Sequence, residues 1–386
     1  MRDFLSPKVV NIKPSGIRKF FDVASEIKGA ISLGVGEPDF NTPWHIREEG
    51  IYSLERGKTH YTSNSGLKEL RQEISTYLNR KYDLKYDPLK ECLVTVGGSE
   101  AIDMALRATI CEGDEVIVVT PCYVSYEPCV VLAGGVVKTI PLKNENEFKL
   151  TKEELEAAIT DKSKILIMNF PNNPTGAIMD KNDLLDIVDV IIKHDLLVIS
   201  DEIYSELTYF GNHVSIASLP NMKERTIVIN GFSKAFAMTG WRLGYACGPK
   251  EIIAQMTKIH QFAIMCAPTT SQHAAIEALK NGDEDVRLMT EEYNERRRYV
   301  LKRLNDMGLN SFTPRGAFYI FPDIRKFKMT SEEFAYKLLQ DKKVVVVPGS
   351  AFGASGEGFI RISYAYSIEN LKNALNRIEE FIKELK

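Results

Sequence analysis

The amino-acid sequence predicts an α/β protein in which a mostly parallel sheet is buried between helices, followed by a second, smaller α+β part. Between residues 92 and 248, short runs rich in valine, isoleucine and leucine alternate with helical patterns. These runs are almost continuously apolar, which is typical of parallel strands that helices cover on both faces. After Pro249, a mostly helical and strongly charged stretch over 250–308 precedes three further strand candidates.

The strand candidates follow one another along the chain, and helical patterns such as 99–113 and 181–195 fill most gaps. In the first part the strand candidates are CLVTV (92–96), EVIVVT (115–120), KILIMNF (164–170), LLVIS (196–200), TIVIN (226–230) and LGYACG (243–248). In the second part they are FYIFP (318–322), VVVVP (344–348) and GFIRISYA (358–365), before a closing helical pattern over 367–385. Ligands of parallel sheets bind beyond the carboxyl ends of the strands, so the residues after each strand are site candidates.

Length and charge limit the functions open to this chain. Its 386 residues exceed what one hydrophobic core usually fills, so we expect two domains. With 49 basic and 52 acidic residues, the formal net charge of -3 offers no basic surplus for nucleic acid or an anionic membrane. No run of 18 apolar residues predicts a membrane span, and the first 16 residues lack the apolar core of a secretory signal.

The six cysteines bear on the compartment in which the protein works. They are scattered at 92, 111, 122, 129, 247 and 266, and none forms a C-x-x-C pair. Most lie in apolar runs, so we interpret them as small buried side chains rather than as a metal or disulfide set. The sequence therefore predicts a protein of the reducing cytoplasm without a metal site.

Two polar motifs directly after strands each have an ordinary and a functional interpretation. VGGSEA (96–101) leads through two glycines into a helix, whose free N–H groups could hold a phosphate, although Ser99 could simply cap that helix. ISDEIYSEL (199–207) places Asp201 at the end of an apolar strand. A carboxylate there needs a cation, unless it is the N-cap of a helix whose first turn carries Tyr204.

Two other motifs contain turn signals. NFPNNPTG (169–176) ends a strand candidate with Asn-Pro and Thr-Gly pairs, which are common in turns. GVGEPDF (34–40) has G-x-G but not the full G-x-G-x-x-G, and Pro38 interrupts the helix that a dinucleotide site requires. We therefore exclude a dinucleotide fingerprint and expect these glycines to turn the backbone or to let it approach a ligand.

The stretch NGFSKAFAMTGWRLGYACGP (230–249) has one lysine among small and apolar residues, and one arginine eight positions later. A lysine bonds to a carbonyl only through its neutral amine, whose ordinary pKa is about 10.4. Apolar surroundings and a nearby arginine would both lower the pKa of Lys234. Arg242 has the planar donor set that suits a phosphate. The alternative is a solvated lysine and a structural arginine.

Together these motifs resemble class I aminotransferases, which are pyridoxal 5'-phosphate (PLP) enzymes of fold type I. GFSKAFAMTGWRLG matches the family's lysine signature, and NNPTG, SDEIY and RISYA match three further blocks in the same order. SLGVGEPDF and THYTSNSGLKELR match two more, so the resemblance spans about residues 15–365. It is strongest to the aromatic and aspartate aminotransferases of bacteria and archaea.

The resemblance implies a large PLP-binding domain with a mostly parallel seven-stranded sheet between helices, and a homodimer whose subunits share each active site. The implied divisions are an N-terminal arm (1–16), an N-terminal part of the small domain (17–46), the large domain (47–285) and a C-terminal small α+β domain (286–386).

The resemblance also implies a role for each matching residue around the cofactor. Lys234 would bond to the cofactor's aldehyde and later move the proton between the substrate Cα and the cofactor, while Asp201 would pair with the pyridinium nitrogen. Asn173 and Tyr204 would hydrogen-bond the phenolic oxygen, and Tyr123 would stack on the ring face. The phosphate would be held by Gly98, Ser99, Ser233, Arg242 and, from a second subunit, Tyr61.

For the substrate, the resemblance implies that Arg361 forks onto the α-carboxylate with help from Asn173 and the backbone of Gly36. The side-chain pocket would include Ile17 and the largely apolar residues 264–266.

Three positions depart from the family pattern. Gly231 stands where many relatives have a phosphate-binding serine, and Ser99 where one aspartate-specific subgroup has a lysine that reads the side chain. Tyr123 replaces the tryptophan of many aspartate enzymes. These departures weaken the case for a strict aspartate enzyme and leave aromatic or broader substrates open.

The implied activity is transfer of an amino group from an L-amino acid, aromatic or of a broad range, to a 2-oxo acid such as 2-oxoglutarate by a ping-pong mechanism. Aspartate or N-acetyl-diaminopimelate aminotransferase, or a C–S lyase of the same fold, are the alternatives, because one lysine and one aspartate serve all these chemistries. A non-catalytic sensor is disfavoured by the acidic net charge.

Overall fold

The computed structural model describes residues 4–14 and 27–385. The strands are β1 (Ile31–Ser32), β2 (Cys92–Thr95), β3 (Glu115–Thr120), β4 (Val136–Pro141), β5 (Ser163–Asn169), β6 (Leu197–Asp201), β7 (Thr226–Gly231), β8 (Gly244–Cys247), β9 (Tyr319–Ile320), β10 (Val344–Val345), β11 (Val347–Pro348) and β12 (Ile360–Ser363). The helices are α1 (Pro7–Val10), α2 (Trp44–Glu55), α3 (Lys68–Tyr82), α4 (Gly97–Thr109), α5 (Tyr126–Ala133), α6 (Lys152–Ala158), α7 (Lys181–Lys193), α8 (Lys250–Ala263), α9 (Thr269–Asn281), α10 (Asp283–Asp306), α11 (Ser331–Lys342) and α12 (Ile368–Glu384).

A seven-stranded sheet forms the centre, in the order β2-β8-β7-β6-β5-β3-β4. β8 is antiparallel to both of its neighbours, and the other strand pairs are parallel. The middle strands are buried almost throughout, because their valines, isoleucines and leucines meet helices on both faces. The predicted fold, a mostly parallel seven-stranded sheet between helices, is therefore confirmed.

Two helices of this region begin at reciprocal side-chain caps. The side chain of Asp180 accepts from the Asp183 N–H while the Asp183 side chain accepts from Asp180, a reciprocal cap at the start of α7. Thr151 and Glu154 form the same arrangement at α6. Such caps satisfy N–H groups that the first helical turn leaves without partners, and they therefore fix the residue at which each helix begins.

A second set of strands lies in the C-terminal part of the chain. β12 pairs antiparallel with β11 and β9, while β10 pairs in parallel with β1 from the beginning of the chain. One buried cluster holds this region together and includes Leu33, Val300, Phe334, Ile362 and Ile378. The segment around β1 therefore packs with the C-terminal strands and not with the central sheet.

The structure corrects four local expectations. β4 was not predicted, because its side chains are largely half-exposed or exposed and its sequence, VVKTIP, is not continuously apolar. The run VVVVP divides between β10 and β11, which belong to different sheets.

The other two corrections concern helix starts. α4 begins at Gly97 and has no side-chain cap, so Ser99 is not its N-cap. Asp201 is not the N-cap of a helix, because residues 203–206 form turns. The Asp201 carboxylate accepts from the Ile203 N–H within that turn.

In the described ranges, none of the helices is both long and apolar enough to span a bilayer. Among the same residues, no cluster of three histidine, cysteine or acidic side chains could bind a metal ion. All six cysteines are free thiols, and the Sγ atoms of Cys92 and Cys247 lie 3.4 Å apart on paired strands.

Candidate active site

The carboxyl ends of β5, β6 and β7 lie side by side and bring the strand-end motifs together. Asn169 lies opposite Asp201 in the β5–β6 register, and Asp201 lies opposite Ile229 in β7. Lys234 follows the end of β7 in a turn. Three motifs that are far apart in sequence therefore meet at one edge of the sheet, the edge where parallel sheets bind ligands.

Asp201 is a buried carboxylate held by uncharged donors. The Tyr126 hydroxyl donates to Oδ2 at 2.6 Å, and the Ile203 N–H donates to Oδ1 at 3.2 Å. The Asn169 side-chain amide fixes the backbone by donating to the Asp201 carbonyl oxygen at 2.9 Å. Burial raises the pKa of Asp201 to about 6, although the Tyr126 bond opposes that rise. A cationic partner would relieve the cost of this burial.

The Lys234 amine lies between backbone and aromatic rings. Its Nζ donates to the Gly36 carbonyl oxygen at 2.7 Å and lies 5.9 Å from the ring centroid of Tyr204. Removal from water lowers the pKa of Lys234 to about 8; nearby Glu37 opposes this effect, while Arg361 and Arg242 add to it. At pH 7 about a tenth of this amine is therefore unprotonated, against less than about a thousandth for an ordinary lysine, and a covalent role requires the unprotonated form.

An exposed arginine faces the start of α4. Gly97 has φ 78°, and a Cβ built on it would lie 2.9 Å from Arg242 Nη2. A Cβ on Gly244 would lie 2.7 Å from both Gly97 C and Gly98 N, so these glycines allow the close approach of two backbones and one guanidinium. First-turn N–H groups and an arginine fork form an anion cradle.

Gly231 has a steric explanation. A Cβ built there would lie 3.0 Å from both the Gly244 Cα and the Leu243 carbonyl oxygen, and 3.2 Å from the Ile203 Cδ1. The β7–β8 pairing therefore leaves little room for a serine side chain at this position without a shift of its neighbours.

Arg361 is the second arginine of the site. It is 3 % exposed, and its Nη1 donates to the Asn173 Oδ1 at 2.8 Å while Nη2 donates to the Gly34 carbonyl oxygen. Its guanidinium lies 4.4 Å from the ring centroid of Tyr319, and its Nε is buried without a hydrogen-bond partner among the described residues. A buried guanidinium with an unused donor is suited to bind a carboxylate.

The remaining tyrosines around the site are oriented by one another. Tyr204 is buried, and its hydroxyl lies 2.7 Å from the Tyr319 hydroxyl. Tyr123 is half-buried and packs edge-on against Tyr126, with ring centroids 5.6 Å apart.

Several predicted residues do not join this cluster within one chain. Tyr61 is 79 % exposed, and Ile264 is also exposed. The two lie on neighbouring segments, because the Asn64 amide donates to the Met265 carbonyl oxygen at 2.8 Å. Ile17 lies outside the described residues.

Three residues of the cluster were missed by the sequence reasoning: Tyr126, Asn169 and Tyr319. Asn169 is the last residue of β5, which lies next to the strand of Asp201, so strand adjacency could have found it. Tyr126 and Tyr319 carry no such signal, because their hydroxyl partners are 75 and 115 residues away in sequence.

Comparison with known proteins identifies the family of this chain. The family described as aminotransferase class I and II matches residues 28–378. An aspartate aminotransferase of Pyrococcus abyssi is 48% identical over 99% of both chains, and an aromatic-amino-acid aminotransferase of Thermococcus litoralis is 46% identical over 99% of both. The crystal structure of an aromatic aminotransferase from Pyrococcus horikoshii has 47% sequence identity and a TM-score of 0.91, covering 96% of this chain and 99% of the other. The chain therefore belongs to the class I and II aminotransferases, PLP-dependent transaminases of fold type I.

Proposed function

We propose that this aminotransferase moves the amino group of an L-amino acid, aromatic or of a broader range, to a 2-oxo acid, with 2-oxoglutarate as the first candidate acceptor. The reaction would run as two half-reactions, with the amino group held on the cofactor between them. The observation that carries the proposal is the convergence of a lysine with a lowered pKa, a buried carboxylate and a buried arginine with an unused donor.

The described residues fit PLP. Asp201, whose partners are uncharged donors, would pair with the protonated ring nitrogen, and Lys234 would bond to the aldehyde. Tyr204 and Asn173 would hydrogen-bond the phenolic oxygen, and Tyr123 would cover the ring. The phosphate would lie in the cradle at the start of α4, held by Gly98, Ser99, Ser233 and Arg242.

When bound, the cofactor supplies an electron sink that allows the Cα–H bond of an amino acid to break. The chain supplies orientation and proton transfer. Arg361 and Asn173 would orient the α-carboxylate, with the Gly36 backbone alongside, and the freed Lys234 amine would take the Cα proton and pass it to the cofactor. Cofactor binding would replace the Lys234 contact with the Gly36 carbonyl oxygen, and substrate entry would replace the Arg361 contact with the Gly34 carbonyl oxygen.

Substrate preference is proposed from the departures of this chain and from its relatives. Ser99 offers no cation to an acidic side chain, and Ile264 and Met265 are apolar. Relatives of similar identity are named for aspartate and for aromatic amino acids. A panel of tyrosine, phenylalanine, aspartate, alanine and N-acetyl-diaminopimelate with 2-oxoglutarate would test the preference. The highest kcat/KM for an aromatic donor is expected, and activity restricted to aspartate would contradict it.

Replacing Arg361 with leucine is expected to raise KM for an amino acid by about 100-fold, because two charge-assisted hydrogen bonds to the carboxylate are lost. Arg361→Lys keeps the charge without the fork, so an intermediate KM is expected. The measurement compares kcat/KM for tyrosine with that for tyramine, which lacks the carboxylate. The preference for tyrosine should collapse in Arg361→Leu, while cofactor uptake remains. An unchanged preference would remove Arg361 from the carboxylate site.

We also propose a homodimer in which Tyr61 reaches the phosphate of the neighbouring subunit. Tyr61 is exposed on the single chain, as are Trp44, Leu54 and Phe262. Burial of such apolar side chains is the usual basis of a stable subunit interface.

Mixing two inactive variants tests the shared site. A heterodimer of a Lys234→Ala subunit and a Tyr61→Ala subunit contains one intact site, because the intact Lys234 and the intact Tyr61 meet there. Random mixing should therefore restore activity to about a quarter of the wild-type level. Gel filtration should give twice the mass of the 43.5 kDa chain. A monomer that is fully active, or mixing without recovery, would contradict the shared site.

A further inference from the structure

Tyr319 lies between the two halves of the site and has no role in the function proposed above. It belongs to β9 and is 1 % exposed. Its hydroxyl lies 2.7 Å from the Tyr204 hydroxyl, the group proposed to bind the cofactor's phenolic oxygen. Its ring faces the Arg361 guanidinium at 4.4 Å, the group proposed to bind the substrate carboxylate.

The surroundings of Tyr319 fix both contacts. β9 pairs with β12 so that Tyr319 lies opposite Ser363, two residues beyond Arg361. On the other side, a Cβ added to Gly36 would lie 2.3 Å from the Tyr319 Oη. The hydroxyl is therefore closely packed against the segment whose carbonyl oxygen accepts from Lys234.

The hydroxyl of Tyr319 is more than a packing group. Among the described residues its hydrogen bond is with Tyr204, and a phenylalanine would fill the same apolar space. Burial raises the pKa of both phenols above the ordinary value, so both keep their protons near neutral pH. Of the two O–H groups, one donates the hydrogen bond between the tyrosines, and the other is available to donate to a third group.

We propose that Tyr319 is a positioning residue that links the cofactor and substrate halves of the site through its hydroxyl and its ring. The inference rests on the function proposed above. If the Tyr204 hydroxyl donates its hydrogen bond to the cofactor's phenolic oxygen, it can only accept from Tyr319. The Tyr319 hydroxyl is then the donor in the contact between the two tyrosines. That bond strengthens Tyr204 as a donor, because hydrogen bonds in a chain polarise one another. The ring meanwhile holds the guanidinium plane in place for the carboxylate.

The two contacts are separable by substitution. Tyr319→Phe removes the hydroxyl and keeps the ring, whereas Tyr319→Leu removes both. Tyr204→Phe removes the hydroxyl through which Tyr319 would act. Tyr364→Phe is the matched control, since Tyr364 is also a buried tyrosine but donates to the backbone oxygen of Ala317 at 3.2 Å.

The first readout is the pH at which the absorbance of the enzyme-bound cofactor changes, recorded on each holoenzyme without substrate. Donors to the phenolic oxygen would draw negative charge away from the Lys234 nitrogen that bonds to the cofactor, and so lower the proton affinity of that nitrogen. Tyr319→Phe should therefore move this transition upward by about half a pH unit, in the same direction as Tyr204→Phe but less far. Tyr364→Phe should leave it in place.

The second readout is the separation of KM from kcat. Tyr319→Phe should leave KM for the amino acid nearly unchanged, whereas Tyr319→Leu should raise it by roughly tenfold through loss of the stacked ring. If the Tyr319→Phe transition coincides with wild type while Tyr204→Phe is shifted, the inference is overturned and the proposed function stands. If Tyr204→Phe is also unshifted, the role of Tyr204 fails and the inference fails with it.

Discussion

Lys234→Ala is expected to abolish the visible absorbance of the bound cofactor and to lower kcat/KM for transamination by at least about 10,000-fold. The residue is proposed both to attach the cofactor and to move the substrate proton, so one substitution removes both contributions. Its amine is suited to these tasks because removal from water brings its pKa to about 8. Absorbance spectra and initial rates of the purified variant provide the measurement.

Lys258→Ala is the matched control for this prediction. Lys258 lies on α8, where it is exposed and bonds to Gln255 at 2.8 Å. Its removal should alter neither spectrum nor rate. A Lys234→Ala protein that kept the wild-type spectrum and activity would refute the assignment of the cofactor to this lysine.

Asp201→Asn is expected to lower kcat/KM by about 1,000-fold or more, and yet to stabilise the protein without cofactor. The loss of activity follows because an amide cannot stabilise a protonated ring nitrogen as a carboxylate does. The gain in stability follows from burial, which raises the pKa of Asp201 from 3.8 to about 6. The folded apoprotein therefore binds this proton more tightly than the unfolded chain does.

The sign of the pH dependence follows from that difference. As pH rises from about 4 to about 6, the unfolded chain ionises Asp201 freely while the folded protein must ionise a buried group, so the free energy of unfolding falls. The rise of the Asp201 pKa from 3.8 to about 6 corresponds to about 3 kcal/mol of lost stability at pH 7.5. Because the Tyr126 and Ile203 donors fit an amide less well than a carboxylate, we expect Asp201→Asn to recover only part of it, raising the free energy of unfolding of the apoprotein by about 1 to 2 kcal/mol.

Urea unfolding of the two apoproteins at pH 7.5 and pH 5 measures this effect. The advantage of Asp201→Asn should shrink at pH 5, where the wild-type carboxyl is largely protonated in the folded state. Saturation with PLP should reverse the order, because only the carboxylate pairs with the ring nitrogen. An Asp201→Asn apoprotein that is less stable than wild type at pH 7.5 would contradict the proposed cost of burial.

The central sheet was predictable because its strands are apolar along their whole length and alternate with helices. β4 escaped prediction since it lies at the sheet edge, where half-exposed side chains interrupt the apolar run. The start of α4 was placed two residues too late, because the serine in VGGSEA resembles a cap that the folded helix does not use.

The candidate site was predictable where its residues lie in local motifs. Lys234, Asp201 and Arg361 each lie in a short stretch that resembles a family block. The contacts between those stretches carry no local signal: Asn173 meets Arg361 across 188 residues, and Tyr319 meets Tyr204 across 115.

Tyr61 illustrates a further limit. Its proposed role depends on a second subunit, so neither the sequence pattern nor the exposure of its side chain on one chain establishes it. The mixing experiment with Lys234→Ala subunits addresses that role directly.

The most direct test of the account is a single half-reaction. Holoenzyme mixed with an excess of tyrosine, and with no 2-oxo acid present, should convert its cofactor once and release one equivalent of the corresponding oxo acid per subunit without ammonia. Addition of 2-oxoglutarate should then restore the original absorbance and yield glutamate. Repeated turnover of a sulfur amino acid to pyruvate and ammonia without an acceptor would identify a C–S lyase instead and contradict the proposed transamination.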